Sequence, residues 1–390
     1  MKRLLAFIVV AIVAVSIGIA AVASYMDLGK QLAAEEGQRK ELVSKLVPAL
    51  VDELRSRIKV SLKIYKNGEL VYYDPDDPIT VHWLWFIADV LLGCFYMGCA
   101  QPFKAESGAT YKYADFDYHS TNPIPILAIG NGTTPASPSD YKLESQLMSQ
   151  QLDSANVNVT DTGTSYVITY RYTFTLSQDA NISEAGLLIK GEFCGTATSC
   201  SYNTLLVARD TFTPISLAAN ESISVEYVVT LDYSSPPFTR KFWILLGNYF
   251  LGLKAVGRSL GNVAMDTSWD SLVSGAHSNS VSEKILFAYA LESFSWSPDV
   301  SISSTSPKWS PRRWTVSVDE SGLSIDAFVI QEDTANTYKV YGIVFYLQTD
   351  GNDGSGYSIV YHDIIVIPLD AAITVDWTMG FFVEAGLQIT

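Results

Sequence analysis

Apolar and polar residues alternate along much of this chain, and the alternation predicts β-strands. The segments VITYRYTFTL (167–176), LSIDAFVI (323–330) and YKVYGIVFYL (338–347) place apolar side chains mostly on one face. Clusters of Gly, Asn, Asp and Ser separate the strand-like segments. In VSLKIYKNGELVYYD the alternation runs on both sides of Asn67-Gly68, a residue pair favoured in two-residue hairpins. The pattern predicts a mainly β fold of antiparallel sheets packed face to face.

The N-terminus follows a different pattern. Residues Leu4 to Met26 form an uncharged run that is long enough to cross a bilayer as a helix. Lys2 and Arg3 precede the run and Asp27 follows it, as expected for an anchor whose N-terminus faces the cytoplasm. A secretory signal peptide cleaved after Ala21-Val22-Ala23 is the alternative. We interpret residues 1–26 as a transmembrane anchor, because the run exceeds a usual signal core. Both interpretations place everything after residue 27 outside the cytoplasm.

Two further segments have helical character. Within residues 27–62 apolar residues recur at helical spacing from Leu42 to Ile58, which predicts an amphipathic helix. This helix could be a self-associating stalk, or it could lie against the first domain. The segment HWLWFIADVLLGCFYM (82–97) is strongly apolar, and Thr80 is suited to cap its start. It could insert into a membrane, but it is too short to span one, and its length favours a buried core helix.

An internal repeat indicates how the rest of the chain is organised. Three pairs of similar segments occur in the same order: 83–87 with 242–246, 185–189 with 341–345, and ISVEY (223–227) with ITVDW (373–377). We therefore expect two tandem β-sandwich domains, jelly-roll-like, at residues 63–236 and 237–390, each opening with an apolar helix. ITVDW is interpreted as the closing strand of the second domain. The linker DYSSPPFTRK (232–241) contains two prolines that limit its range of orientations.

The first repeat carries motifs of a known kind. LAIGNGTTPASPSDYKLESQL (127–147) is followed by ISEAGLL (182–188), LLVARDTFTPISL (205–217) and ISVEYVVTL (223–231). This ordered set resembles a β-sandwich domain of tail-fibre-like and other virion structural proteins of bacterial and archaeal viruses. The resemblance covers about residues 65–233. The second copy, 237–390, is degenerate and lacks a clear counterpart of GNGTTPASPSD. The membrane segment departs from a typical tail fibre and suggests an enveloped virion or a cellular surface protein.

Charge limits the class of partner. The formal net charge is −15, and no basic stripe is present, so nucleic acid is excluded as a partner. We expect the lipid bilayer to be contacted through residues 4–26, and a homo-oligomer or other virion or surface proteins to be the protein partners.

The four cysteines suit an oxidising compartment. Cys194 and Cys200 bracket a short loop between strands, and we predict a disulfide between them. Cys94 and Cys99 could bridge only if the neighbouring glycines interrupt their helix. A zinc site is the alternative, but the histidines show no ligand-like spacing to the cysteines. We therefore predict no metal and no cofactor.

Two patterns weakly suggest other chemistry. GRSLG (257–261) matches the G-x-S-x-G pattern of hydrolases, but an apolar, helix-like segment precedes it instead of a buried strand. Ca²⁺ could bind to either of two acidic strings, although such strings are more often turns. The first contains Asp74, Asp76 and Asp77, and the second contains Asp350, Asn352 and Asp353. We predict no catalytic residue. Glu184 and Arg209 could form an ion pair of structural importance.

Glycan acceptors occur only in the first repeat. Four N-x-S/T sequons lie at Asn131, Asn158, Asn181 and Asn220.

Together these observations predict a non-enzymatic, membrane-anchored virion surface protein such as a spike, turret or attachment component. The alternative is an archaeal or bacterial surface adhesion or pilus-like protein.

Overall fold

The computed structural model describes residues 48, 51–92, 101–114, 123–196, 199–236, 238–261, 285–290, 296–299, 308–309, 313–319, 322–329, 337–352, 357–376 and 381–387. The helices are α1 (51–57), α2 (Val81–Leu92), α3 (Arg240–Leu245) and a π-helical turn at Leu246–Phe250. The strands are β1 (Ile58–Lys66), β2 (Glu69–Asp74), β3 (Phe103–Lys104), β4 (Thr110–Tyr111), β5 (Tyr113–Ala114), β6 (Ile124–Gly130), β7 (Gln146–Gln151), β8 (Val157–Asp161), β9 (Ser165–Thr175), β10 (Ala180–Thr196), β11 (Ser199–Leu217), β12 (Ser222–Asp232), β13 (Ile285–Ala290), β14 (Lys308–Trp309), β15 (Arg313–Asp319), β16 (Gly322–Val329), β17 (Thr337–Asn352), β18 (Tyr357–Asp376) and β19 (Phe381–Leu387). The fold is mainly β, as predicted, with antiparallel sheets and few helices.

Most of the strands from β1 to β12 form two main sheets that share one hydrophobic core, and β3 pairs separately with β4. One sheet has the order β2-β1-β12-β9-β8, and the other has the order β11-β10-β6-β7, with β5 also pairing with β10. The alternation predicted for ISVEY is confirmed, because Ile223, Val225 and Tyr227 are fully buried. Glu226 lies on the opposite face and contacts Lys63 at 3.0 Å. Apolar faces of both sheets meet in this core, which gives the N-terminal strands a sandwich-like arrangement.

The β1–β2 hairpin forms as the sequence predicts. Asn67 and Gly68 both adopt positive φ, at 53° and 86°, and they connect strands that pair from Lys66 with Glu69 onward. A turn with two positive φ angles matches the twist of the flanking strands, and Asn-Gly is the pair that adopts it at least cost.

Helix α2 is a core helix, as its length suggested. Thr80 caps it, because its hydroxyl accepts a hydrogen bond from the Trp83 backbone N–H at 3.3 Å. Trp83, Phe86 and Ile87 are fully buried in the shared core. Among the residues that the structure describes, no helix has the length and apolar character needed to cross a membrane. The predicted anchor at residues 4–26 lies outside the described residues.

Helix α1 lies against the same core. Val51 and Leu54 are buried within it, and the Arg57 guanidinium donates to the carbonyl oxygens of Ser235 and Pro236. This part of the predicted amphipathic segment therefore packs on the first set of strands, and strand β1 begins earlier than the predicted domain start at residue 63. The preceding residues 27–47 lie outside the described residues.

Strands β13–β19 repeat the pairing of the N-terminal strands. β13 and β18 flank β17 in one sheet, as β6 and β11 flank β10. β15, β16 and β19 pair in that order in a second sheet, as β8, β9 and β12 do. The register agrees in detail, since Gly186 lies opposite Ala128 and Gly342 lies opposite Ala290. Similar segments thus occupy similar places in both sets of strands.

The helix starts repeat as well. Thr80 and Thr239 both precede a helix and are both fully buried. The next backbone N–H donates in each case to a proline carbonyl, from Val81 to Pro138 at 2.7 Å and from Arg240 to Pro298 at 2.8 Å. SPSD (137–140) therefore has a shortened counterpart in SPD (297–299). Of the longer motif GNGTTPASPSD, only these few residues have a counterpart among the described residues of the second repeat.

The proposed match between ISVEY and ITVDW was also wrong. ISVEY lies in β12, whereas residues 373–376 lie in β18 and pair with β17. The strand that takes the place of β12 is β19, in which Val383 and Glu384 correspond to Val225 and Glu226. Alternation with period two is shared by most half-buried strands, so a five-residue pattern does not identify one strand among several.

Residues 238–261 complete the N-terminal core. Trp243, Phe250 and Leu253 are buried within the same cluster as α2 and strands β1–β12. The Trp83 indole N–H donates to the Phe250 carbonyl at 3.1 Å, and the Tyr170 hydroxyl donates to the Leu251 carbonyl at 2.8 Å. Helix α3 also contacts β18. The segment that follows the predicted boundary at residue 237 therefore packs against both sets of strands.

Candidate functional site

The most elaborate polar cluster in the described residues surrounds Glu184 on β10. Its carboxylate is fully buried and accepts four hydrogen bonds. The Oε1 atom accepts from the backbone N–H groups of Gly132 at 3.0 Å and Ser145 at 2.7 Å. The Oε2 atom accepts from the Glu144 backbone N–H at 3.0 Å and from Arg209 Nε at 3.0 Å. Three of these four donors belong to the loop that connects β6 to β7, so Glu184 anchors both ends of that loop.

Arg209 on β11 links the same loop from the other side. Its side chain is 3% exposed, and its guanidinium donates to Asp140 Oδ2 at 2.7 Å and to the Thr134 carbonyl at 3.1 Å. The predicted Glu184–Arg209 pair is therefore present and is one part of a larger network. Asp140 and Glu144 are the members that the sequence reasoning did not identify, although both lie within the quoted motif.

Glu144 closes the outer part of the network. Its carboxylate accepts hydrogen bonds from the backbone N–H groups of Thr133 and Thr134 and from the Thr134 hydroxyl. Hydrogen bonds from the Thr134 amide and hydroxyl lower the pKa of the Glu144 carboxyl. The interaction favours the ionised carboxylate and keeps this turn of the loop closed.

The glycines of the motif are required by the space around them and not by their backbone angles. Neither Gly130 nor Gly132 adopts positive φ. A Cβ at Gly130 would lie 2.4 Å from Glu184 Oε1, and one at Gly132 would lie 2.6 Å from the same atom. The loop backbone approaches the carboxylate too closely for any side chain, and the glycines allow that approach.

The anchored loop covers the outer face of its sheet. Leu143 in this loop is 3% exposed and packs with Ile126, Ala128, Leu188 and Leu206 in a second, smaller apolar cluster. The network around Glu184 therefore holds a covering segment over apolar side chains that would otherwise face water.

The chemistry available to this site is limited by its hydrogen bonds. A carboxylate has about four favourable acceptor positions, and Glu184 fills them with four donors. A general base needs a free lone pair within reach of a substrate proton. Glu184 has no such position, so the arrangement is suited to fixing a loop.

A second buried acid lies near the β2–α2 connection. Asp77 is 2% exposed, and neither of its carboxylate oxygens has a hydrogen-bond partner among the described residues. Burial raises the pKa of Asp77 well above its usual value, and the negative charge of Asp210 raises it further. Asp210 accepts a hydrogen bond from the Tyr72 hydroxyl at 2.7 Å, and burial raises its pKa as well.

Of the two possible calcium strings, one forms a turn and the described part of the other lies at the end of a strand. Asp74 Oδ1 accepts a hydrogen bond from the Asp76 backbone N–H at 2.9 Å, which is the geometry of an Asx turn. Asp350 and Asn352 lie at the end of β17, opposite Ile359 and Tyr357, whereas Asp353 lies outside the described residues. In the part of the chain that the structure describes, no group of three or more His, Cys, Asp or Glu side chains has an arrangement suited to a metal ion.

The G-x-S-x-G match lacks the context of a hydrolase. Ser259 is exposed in a turn after the π-helical segment, and its hydroxyl donates to the Gly261 carbonyl at 2.8 Å. A nucleophile elbow needs a strand directly before the serine and a helix after it. Turns precede Ser259 instead.

The predicted disulfide residues are partly described. Cys194 and Cys200 occupy paired backbone positions in the β10–β11 hairpin. The bond itself stays a prediction. Cys94 and Cys99 lie outside the described residues.

All four sequon asparagines are exposed, which is required of glycan acceptors. The hydroxyl residues of three sequons are at least partly exposed, but Ser183, two residues after Asn181, is 2% exposed. Its hydroxyl donates to the Gly132 carbonyl at 2.8 Å. The sequon at Asn181 is therefore the least accessible of the four in the folded protein.

No protein-family model, curated protein or solved structure matches this chain.

Proposed function

We propose that this chain is a membrane-anchored structural protein of a virion surface, which acts in assembly or attachment and not in catalysis. Residues 4–26 would lie in the bilayer, and the remaining chain would form two tandem, jelly-roll-like β-sandwich domains outside the cytoplasm. The partners would be further copies of the chain or other surface proteins.

The observation that carries this proposal is the use of the buried polar groups. Glu184 accepts from three backbone N–H groups and Arg209, and Arg209 in turn donates to Asp140 and a backbone carbonyl. All of these contacts except the one between Glu184 and Arg209 hold a loop against a sheet, and none presents a free acid or base at the surface. Such an arrangement is typical of a rigid scaffold.

The duplicated architecture supports the same proposal. The pairing of β17 with β13 and β18 repeats that of β10 with β6 and β11, and the helix starts at Thr80 and Thr239 share their proline contact. Tandem sandwiches provide length and extended β surfaces, which suit a protein that projects from a membrane. The resemblance of residues 65–233 to virion sandwich domains supports a viral origin.

The surface chemistry is compatible with an external location. The net charge of −15 disfavours nucleic acid, and the exposed asparagines of four sequons are available for glycans. These features also fit a cellular surface protein, so location is the property to measure.

Membrane fractionation of purified particles tests the proposal directly. We expect the full chain to be recovered in purified virions, to resist carbonate extraction and to be degraded by protease added to intact particles. A matched variant that lacks residues 4–26 should be released by carbonate, because it lacks the apolar run.

The alternative outcomes are distinct. Recovery in envelopes of uninfected cells would identify the chain as a cellular adhesion or pilus-like protein. Release of the full chain by carbonate would contradict the membrane anchor, and protection from external protease would contradict the outward orientation.

A further inference from the structure

The edge strand β7 is unusually open. It is the last strand of the sheet β11-β10-β6-β7, and all six of its residues are exposed. Leu147 and Met148 are 42% and 38% exposed. Of the strands that the structure describes, only β6 pairs with β7, so its outer row of backbone donors and acceptors faces outward. An open edge of this kind is a template for pairing with another strand.

Charge distinguishes β7 from the other edges of the two main sheets. β2 carries Glu69 and Asp74, β8 carries Asp161, and β11 carries Arg209 and Asp210. The sequence of β7 is QLMSQQ, and no charged residue occurs between Glu144 and Asp153. Charged residues on an edge oppose pairing with a further chain, and β7 alone among these edges lacks them.

The equivalent edge in the C-terminal strands is protected. β14 pairs with β13 as β7 pairs with β6, and it carries Lys308. A lysine on an edge strand opposes pairing with a further chain. The same position is thus blocked in one repeat and open in the other.

From this contrast we propose that β7 pairs antiparallel with β7 of a second copy of this chain. The pairing joins two β11-β10-β6-β7 sheets into one continuous sheet about a two-fold axis that passes near Met148 and Ser149. Such an isologous contact uses the same surface of both copies.

A second copy is the occupant favoured by charge. Each copy carries a net charge of −15, so two copies repel each other over most of their surfaces. The stretch 145–152 is uncharged, and self-pairing sets Gln, Ser, Met and Leu side chains opposite one another without any like-charge contact. A basic partner would be attracted to the acidic surfaces and would gain nothing from this neutral edge.

Cysteine cross-linking in membranes that contain the full chain tests the pairing. Ser149→Cys places a thiol at the proposed axis, and Val71→Cys places one on β2, an exposed edge strand of the other main sheet, as a matched control. With a short bismaleimide, we expect at least about ten times more dimer from Ser149→Cys, since paired positions lie within about 8 Å. The chain without an added cysteine measures the background dimer that arises from cross-linking of the four native cysteines.

Adding Met148→Lys to the Ser149→Cys chain should reduce the dimer yield to that of the control, because two lysines would face each other across the axis. Met148 is exposed, so an unchanged melting temperature checks that the fold is retained. Equal yields from Ser149→Cys and Val71→Cys would overturn the proposal, as would a dimer that survives Met148→Lys. A Ser149→Cys adduct with a different protein would show that another partner occupies the edge. None of these outcomes depends on whether the membrane is viral or cellular.

Discussion

Replacing Glu184 by Gln should be among the most destabilising isosteric changes in this protein. The substitution keeps the shape of the side chain but turns one acceptor oxygen into an NH₂ donor. If the amide replaces Oε1, it faces the N–H groups of Gly132 and Ser145, and if it replaces Oε2, it faces Glu144 N–H and Arg209. In either orientation two buried donors lose their acceptor.

The magnitude follows from burial. Glu184 is fully buried and Arg209 is 3% exposed, so water cannot replace the lost contacts. A buried donor left unpaired costs about 1–3 kcal/mol, and a broken buried ion pair costs about 3–5 kcal/mol. We expect Glu184→Gln to lower the free energy of unfolding by about 3–5 kcal/mol, which corresponds to a fall of roughly 6–20 °C in melting temperature for a domain of this size.

Urea unfolding followed by tryptophan fluorescence measures the change, and an unaltered m-value shows that the same unit unfolds. Glu221→Gln is the matched control. Glu221 contacts Lys66 at 3.1 Å but is about one-third exposed, so solvent screens the pair and its loss should have a much smaller effect on stability. A loss below about 1 kcal/mol for Glu184→Gln would refute the view that this network holds the loop.

Four further predictions concern other positions. The pKa of Asp77 is raised above 3.8, so above about pH 4 the folded state retains a proton that the unfolded state releases, and stability falls as pH rises towards the folded pKa. Asp77→Asn removes this dependence. In pH-dependent urea unfolding, the stability of this variant relative to the parent chain should rise with pH by at most about 1.4 kcal/mol per unit. Gly252→Ala should destabilise by more than about 1 kcal/mol in the same assay, because φ is +77° and a Cβ would lie 2.6 Å from a neighbouring carbonyl oxygen. Ser259→Ala should leave any hydrolysis of model esters by the purified chain unchanged, and a loss of activity would revive the hydrolase interpretation. Glycopeptide mass spectrometry should find the lowest occupancy at Asn181, whose sequon serine is buried.

Local signals were sufficient to predict several elements. Asn67-Gly68 defines its hairpin through backbone preferences alone, and Thr80 marks a helix start through its own hydroxyl. The alternation of β9 follows from burying one face of a strand. Each of these features depends on residues that are close in the sequence, so the sequence predicts them well.

The partner of each strand could not be predicted in the same way. ISVEY and residues 373–376 alternate alike, yet they pair with strands of different sheets. The pairing depends on contacts between residues far apart in the chain, and alternation carries no information about them.

The polar network lay partly within reach of the sequence. Opposite charges at Glu184 and Arg209 suggested their pair, but the loop donors that saturate Glu184 are backbone groups and have no side-chain signature. Ser-Pro followed by Asp occurs in both 137–140 and 297–299. This shared pattern was the available signal that part of the motif recurs in the second repeat.

Residues 238–261 determine where the chain can be cut to give a shorter protein with a complete N-terminal core. The sequence repeat predicts a boundary before this stretch, yet the N-terminal core is complete only when the stretch is in place. A chain cut at the sequence repeat would leave the Trp83 indole N–H and the Tyr170 hydroxyl without their acceptors and would expose the apolar surface that Trp243 covers. The boundary suggested by the sequence repeat and the boundary of the packed N-terminal core therefore lie at different residues.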